Sequence, residues 1–318
     1  MAPPPKPAAA NPPAPSAGGF GRPRVRTPRR PTAFERATAV RATGDESFVA
    51  ELREGWSVSE GPSGGYLAAI LVRAVLAHPE SSENRALCAL TANYLKSPRA
   101  GRLDIQVHVL RSGHRIVRSA ITARQDGEIM LTATAALSAT NLPETDEWRP
   151  VPPDAGEPPP ARAREVSADR YRPSEGHWLL PSAELPPVIH RAKLAPRFGS
   201  GRFSGIGSPG GAAPATGGWI WLREPQRIDP AYVALCADLW WPASLEPLSK
   251  PTQAPTLELA IHFRARLPER GLPAAPVLGR FQASAAIGGL VDEDGALFLA
   301  DGTLLAQSRQ LSVLLPIE

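Results

Sequence analysis

Two stretches of this chain are apolar on every side rather than on one. Residues 66–76 read Tyr-Leu-Ala-Ala-Ile-Leu-Val-Arg-Ala-Val-Leu, interrupted only by Arg73, and residues 231–241 are interrupted only by Asp238. Uniform apolarity over such a length predicts a buried helix rather than an amphipathic surface helix. Both stretches carry start and stop signals. Ser63 precedes the first and Asp229-Pro230 the second, where side-chain oxygens can cap free N–H groups; Pro79 and Pro242 then end the helices. A carboxylate at position 238 loses hydration worth several kcal/mol unless something satisfies it. Asp238 is either a helix end turned to water or a functional group.

Around these helices the period changes to two. Residues 103–109 alternate as a half-buried strand, and Asp126-Gly127 separates two strand-like runs, 115–123 and 129–137, as a hairpin turn does. Further strands are expected at 48–52, 219–222, 257–266 and 278–287, with a pair flanking Asp301-Gly302. Residues 33–36 read as a short strand or turn. The parts occur twice in the same order. A capped apolar helix begins at Ser63 and at Asp229, a turn reads Pro98-x-x-Gly101 and Pro268-x-x-Gly271, and a hairpin turn reads Asp126-Gly127 and Asp301-Gly302. That predicts one long buried helix followed by antiparallel strands, repeated.

Length and composition add boundaries. The 318 residues suffice for two domains, each with its own core. The 37 prolines gather at 1–31, a Pro/Ala/Gly/Arg tail expected to be disordered, and at 142–187, an extended linker. Residues 204–218, rich in Gly and Pro, read as a mobile loop. The remaining segments, 32–141 and 188–318, are the expected folded halves. The net charge of +4 comes largely from tail arginines (Arg22, Arg24, Arg26, Arg29, Arg30), which argues against nucleic acid as the main partner. Cys88 and Cys236 lie in apolar contexts and read as buried thiols, not a disulfide framework. No apolar run approaches the roughly 20 residues of a membrane span. With no secretory h-region either, the expectation is a soluble, cytoplasmic protein.

Few local motifs carry chemistry. Gly61-Pro-Ser63-Gly-Gly65 fits the nucleophile-elbow pattern, but that motif requires parallel strands alternating with helices, whereas tight hairpins follow here. The preferred reading is a helix N-cap whose glycines admit a ligand to the helix N-terminus. The six histidines lack metal-ligand spacing, and residues 199–211 lack the P-loop lysine and the dinucleotide fingerprint. No metal and no cofactor is expected.

Gly64-Gly65-Tyr66, Tyr94-Leu-Lys-Ser-Pro98, Ala237-Asp238-Leu239, Thr256 with the strand to Phe263-Arg264, and Asp301-Gly-Thr-Leu-Leu-Ala-Gln-Ser-Arg-Gln310 together resemble the type II acyl-CoA thioesterases. The resemblance spans about residues 33–315. It implies an α+β tandem double hotdog, in which each long central helix is wrapped by an antiparallel sheet. It also implies an acyl-CoA substrate, with a homo-oligomer of double-hotdog subunits compatible with the arrangement. Residue by residue, it implies that Asp238, Thr256 and Gln310 hold the attacking water, with Gly64, Gly65 and Tyr66 at the substrate. Counted from the helix caps, Asp238 corresponds to Val72 in the first half; counted from the Asp-Gly turns, Gln310 corresponds to Ala135. The polar trio is therefore expected once per chain. Gln307, three residues before Gln310, should face the other side of the strand. The rivals are a non-catalytic acyl-CoA- or lipid-binding protein and a dehydratase, which needs a histidine near a helix start; His78 and His262 are poorly placed for that.

Overall fold

The computed structural model describes residues 29–58, 61–81, 84–142, 146, 148–158, 186–199, 214–245, 252–268 and 270–316. By compactness the chain divides into Met1–Arg30 and Pro31–Glu318, and all of its described helices and strands lie in the second unit. The expected tail, apart from residues 29–31, and most of the expected linker lie outside the described residues, as do residues 204–213 of the expected loop.

The described chain opens on α1 (Ala33–Ala37), a helix where a short strand or turn was expected. The cause is a capping box. The Thr32 hydroxyl accepts the Glu35 N–H at 3.1 Å, and the Glu35 carboxylate accepts the Thr32 N–H at 2.8 Å. The Thr32 hydroxyl also donates to Gln226 Oε1 at 2.5 Å, across 194 residues of chain. Thr32→Ala should therefore cost about 2 kcal/mol, the upper end for a lost cap, because a buried acceptor is orphaned as well. Denaturant unfolding of both proteins checks it.

Helix α2 (Gly64–Ala77) is the first apolar stretch, capped by Ser63, whose Oγ accepts the Tyr66 N–H at 3.3 Å. It is buried all round. Leu67, Ile70, Leu71, Val72 and Val75 are each at most 3% exposed, and each contributes about 1.5–3 kcal/mol of burial. Helix α3 (Pro230–Cys236) starts as expected, the Asp229 carboxylate accepting the Tyr232 N–H at 2.8 Å. It does not run on to Pro242. Ala237 is its C-cap, and the Asp238 N–H turns back to Leu235 O at 3.2 Å. Tertiary partners take the chain out of the helix here. The Trp240 indole N–H reaches Thr216 Oγ1 at 2.9 Å, and the residue before a proline disfavours helical backbone. The second helix is thus short, and Asp238 follows its end rather than lying inside it.

Arg73, the one ionised group of α2, bonds Asp229 Oδ2 at 2.8 Å, which places the third turn of α2 at the start of α3. Gly65 meets the other end of α3. The two helices therefore run antiparallel.

The strands are β1 (Val40–Ala42), β2 (Ser47–Leu52), β3 (Ser57–Val58), β4 (Gly61–Pro62), β5 (Arg85–Tyr94), β6 (Gly101–Ser112), β7 (Ile116–Gln125) and β8 (Glu128–Ala139). Then come β9 (Ala192–Gly199), β10 (Ala215–Leu222), β11 (Thr252–Gln253), β12 (Thr256–Phe263), β13 (Val277–Gln282), β14 (Ala286–Ile287), β15 (Leu290–Phe298), β16 (Leu304–Val313) and β17 (Leu315–Pro316). One antiparallel sheet runs β1-β2-β6-β7-β8-β5-β12-β16-β15-β13-β10-β9, with β14 beside β15. β5 and β12 form the seam. Outward from it one arm runs β8-β7-β6-β2-β1 and the other β16-β15-β13-β10-β9, so each arm has the same order relative to its helix. Leu103, Ile105 and Val107 of β6 face the helices while Arg102, Asp104 and Gln106 face out, the expected period of two. Asp126 (φ 51°) and Gly127 (φ 82°) make the expected hairpin turn with both central residues left-handed.

Ala215–Gly218, expected to be loop, begins β10 instead. At Gly217 (φ 143°) a Cβ would lie 2.2 Å from Gly279 O of the neighbouring strand, so glycine here serves close strand approach beside a bulge. Both cysteines are free; burial pushes the Cys236 thiol up to about 12, which leaves it unreactive. Among the described residues no helix is long and apolar enough to cross a membrane.

Candidate active site

Asp238 is partly buried where the end of α3 meets the start of α2. Its Oδ2 accepts the Gly65 N–H at 2.6 Å. A short charge-assisted bond of this kind favours the carboxylate, as does the positive end of the α2 dipole. Loss of hydration acts the other way and dominates. Burial raises the Asp238 carboxyl from 3.8 to about 6, against the lowering effects of the Gly65 N–H and the Gln310 side chain. A carboxylate titrating near 6 is largely charged at neutral pH yet basic enough to take a proton.

The two glycines make this geometry fit. A Cβ on Gly64 would lie 3.0 Å from Asp238 Oδ2 and 3.3 Å from the Tyr94 hydroxyl; a Cβ on Gly65 would lie 2.8 Å from Leu235 O. Tyr94, at the end of β5, donates to Gly64 O at 2.8 Å and so anchors the start of α2 beneath the carboxylate. Burial, then the charge on Asp238, hold its phenol well above its ordinary value, so it remains a donor.

Strands supply the other side. Gln310 of β16 is 8% exposed, and its Nε2 donates to Thr256 Oγ1 of β12 at 2.5 Å and lies 3.2 Å from Ser312 Oγ. The register puts Thr256 opposite Ser312, and Gln310 opposite the fully buried Leu259. Gln307 points to the other face, where its Oε1 accepts from Arg264 at 3.0 Å. The expected parity of the two glutamines therefore holds.

Asp238, Gly64, Gly65, Thr256 and Gln310 come together. Tyr66 divides: its backbone starts the helix, but its ring stacks on Trp56 at 5.6 Å and its hydroxyl donates to Ala37 O at 2.9 Å. That side chain belongs to the core and does not face Asp238. The Gly65 N–H is likewise engaged by Asp238, so it positions the carboxylate. Ser63 is the buried helix cap and has no base bonded to it among the described residues. His78 caps the far end of α2, about 20 Å from Gly64 at 1.5 Å per residue. Among the described residues no group of three or more His, Cys, Asp or Glu is gathered to hold a metal ion.

Sequence reasoning missed Tyr94 and Ser312 as site neighbours. Strand parity offered a signal for Ser312, two residues from Gln310. Tyr94 lay within a segment that carried the resemblance, but its contact with Gly64 could not be read before the seam was known.

The arrangement has relatives. A conserved protein of unknown function with a hot dog fold from Alicyclobacillus acidocaldarius is 25% identical, with 91% of this chain and 100% of that one covered at a TM-score of 0.74. A putative thioesterase II from Thermobifida fusca is 26% identical, covering 89% and 97%, at 0.67. A tesB protein from Mycobacterium avium subspecies paratuberculosis shares the fold at 15% identity, covering 89% and 98%, at 0.66. No curated protein matches. The fold is of the hot dog type, with a large antiparallel sheet. The acyl-CoA thioesterase N-terminal domain family matches residues 52–138 and the C-terminal domain family residues 149–314; with both halves accounted for in order, the chain belongs to the acyl-CoA thioesterase family.

Proposed function

We propose that this protein hydrolyses an acyl-CoA thioester to the free acid and CoA, and that its two arms are hotdog units in tandem. The units are residues 32–141 and 188–318, with 142–187 as the linker. The observation that carries the reading is Asp238, a carboxylate raised to about 6 and held by the Gly65 N–H beside the Gln310–Thr256 pair. In this reading Asp238 is the general base. It takes a proton from a water positioned by Gln310 and Thr256, and the oxygen adds to the thioester carbonyl. The N-terminal end of α2 carries the partial positive charge that polarises that carbonyl. Collapse of the tetrahedral intermediate expels the CoA thiolate, which receives the proton from Asp238. No covalent intermediate forms.

Release of free thiol from acyl-CoAs of short to long chain tests this. Turnover should rise with pH through about 6 as Asp238 ionises. Gln310→Ala should lower kcat by about 10-fold or more, since it removes a group that orients the nucleophile. Saturable acyl-CoA binding with no turnover on any chain length would overturn the enzyme reading in favour of a binding protein on the same scaffold.

A further inference from the structure

Asp238 is not the only carboxyl group turned into this part of the molecule. Glu293 stands on β15 directly opposite Gln310 of β16, so the two side chains share a face. Its neighbours Asp292 and Asp294 take the other face, where Arg309 binds them at 2.8 and 3.3 Å. The three acids Asp292-Glu293-Asp294 thus split by strand parity: two are paired with a surface arginine, and one points in. Glu293 Oε2 accepts the Ala243 N–H, at the start of the short 3-10 turn Ala243–Leu245, and the Ser244 N–H bonds it as well. That turn follows Asp238 by five residues, through Leu239-Trp240-Trp241-Pro242. Glu293 therefore ties the segment carrying Asp238 to the strand beside Gln310.

Among the described residues no positive charge offsets this second acid. Of the elements beside it, β13 and the residue that follows it contribute Phe281 and Ala283 while Arg280 is exposed, β15 itself contributes Val291, and β16 contributes Gln310 and Ser312 with Arg309 turned outward. The 3-10 turn contributes only N–H groups and Ser244. The titratable groups acting on Glu293 are Asp238, whose other neighbour is Tyr94, and more weakly Asp294. Two carboxyl groups sharing a poorly hydrated site without a cation cannot both be ionised at little cost. Burial foremost, then the charge on Asp238, push the Glu293 carboxyl up to about 8, although the Ala243 and Ser244 N–H groups oppose the rise.

We propose that Glu293 is a positioning residue for the hydrolytic step: it seats the Ala243–Leu245 turn, and with it the segment carrying Asp238, against the strand that bears Gln310. While neutral, it leaves Asp238 as the one charged group beside Gln310 among the described residues. When Glu293 ionises, a second negative charge opposes the charge that builds on the thioester oxygen and departing sulfur. It also opposes the approach of an anionic substrate. This inference rests on the assignment of Asp238 as the general base.

The test is the pH dependence of kcat and KM for wild type, Glu293→Gln, Glu293→Ala and Asp238→Asn, with melting curves to confirm folding. Wild type should rise through about 6 and fall about tenfold per pH unit above about 8. Glu293→Gln mimics the neutral acid and can still accept the Ala243 N–H. It should keep the acid limb, lose the alkaline one, and recover turnover that Glu293→Ala loses through kcat. An alkaline limb that persists in Glu293→Gln, or a folded Glu293→Gln as inactive as Asp238→Asn, overturns the proposal. Full turnover in Asp238→Asn would instead overturn the parent reading, a result that the Glu293 variants cannot produce.

Discussion

Asp238→Asn should lose thioester hydrolysis by about 10²- to 10⁴-fold, the usual worth of a general base, and should at the same time raise the melting temperature at neutral pH. The two effects share one cause. In the folded protein the carboxyl titrates near 6 rather than 3.8, because burial strips its hydration. The folded state therefore binds more protons than the unfolded chain between those values, so stability falls as pH rises through that window. Above about 6 the full penalty remains, about 3 kcal/mol as an upper bound. Asparagine cannot ionise, and its carbonyl oxygen can still accept the Gly65 N–H. Melting both proteins from pH 4 to pH 8 checks this: the curves should nearly coincide at pH 4 and separate, with the variant higher, by pH 7. A variant less stable than wild type at pH 7 would mean that the Gly65 bond outweighs lost hydration. The carboxylate would then be a structural cap.

How far such a site can be read from sequence depends on the range of the interactions that form it. Ser63 and Asp229 announced their helices because capping is local, acting within three residues. Strand parity, which needs no partner, put Gln307 and Gln310 on opposite faces; the choice of Gln310 came from the resemblance. The same parity would have picked out Glu293 between the inward Val291 and Gly295, but Asp292-Glu293-Asp294 reads as a solvated acidic run. The capping box Thr32-x-x-Glu35 was also present; α1, at five residues, is too short to show periodicity. The end of α3 was not legible. Apart from Asp238 the apolarity continues to Trp241, and the partners that draw the chain out of the helix after Cys236, Thr216 and Gly65, are distant in sequence. Tyr94 was hidden for the same reason: its role comes from its reach to Gly64 at the start of α2.

Gly65→Ala should damage stability and turnover together, although it adds only one methyl group. Helix propensity alone argues the opposite, since alanine is favoured over glycine by about 1 kcal/mol in a helix interior, and by less in a first turn. The added Cβ would lie 2.8 Å from Leu235 O, 3.0 Å from Asp238 Cβ and 3.3 Å from Ala234 O. Two of these are backbone carbonyls at the end of α3, which no rotamer change can move. The helices must part, and overpacking of this kind costs about 1–3 kcal/mol, enough to outweigh the propensity gain. Parting them also lengthens the Gly65 N–H to Asp238 bond and carries the carboxylate away from Gln310. A displacement near 1 Å at a reacting group lowers turnover by about 10²-fold. Melting temperature and kcat should therefore fall together in Gly65→Ala. At Gly64, by contrast, the new Cβ meets side-chain atoms, Asp238 Oδ2 at 3.0 Å and the Tyr94 ring and hydroxyl near 3.3 Å, which can shift. Gly64→Ala should accordingly lose kcat with a smaller change in stability. A Gly65→Ala protein that melts above wild type and retains its kcat would show that the helices can separate freely here, so that their contact does not set the position of Asp238.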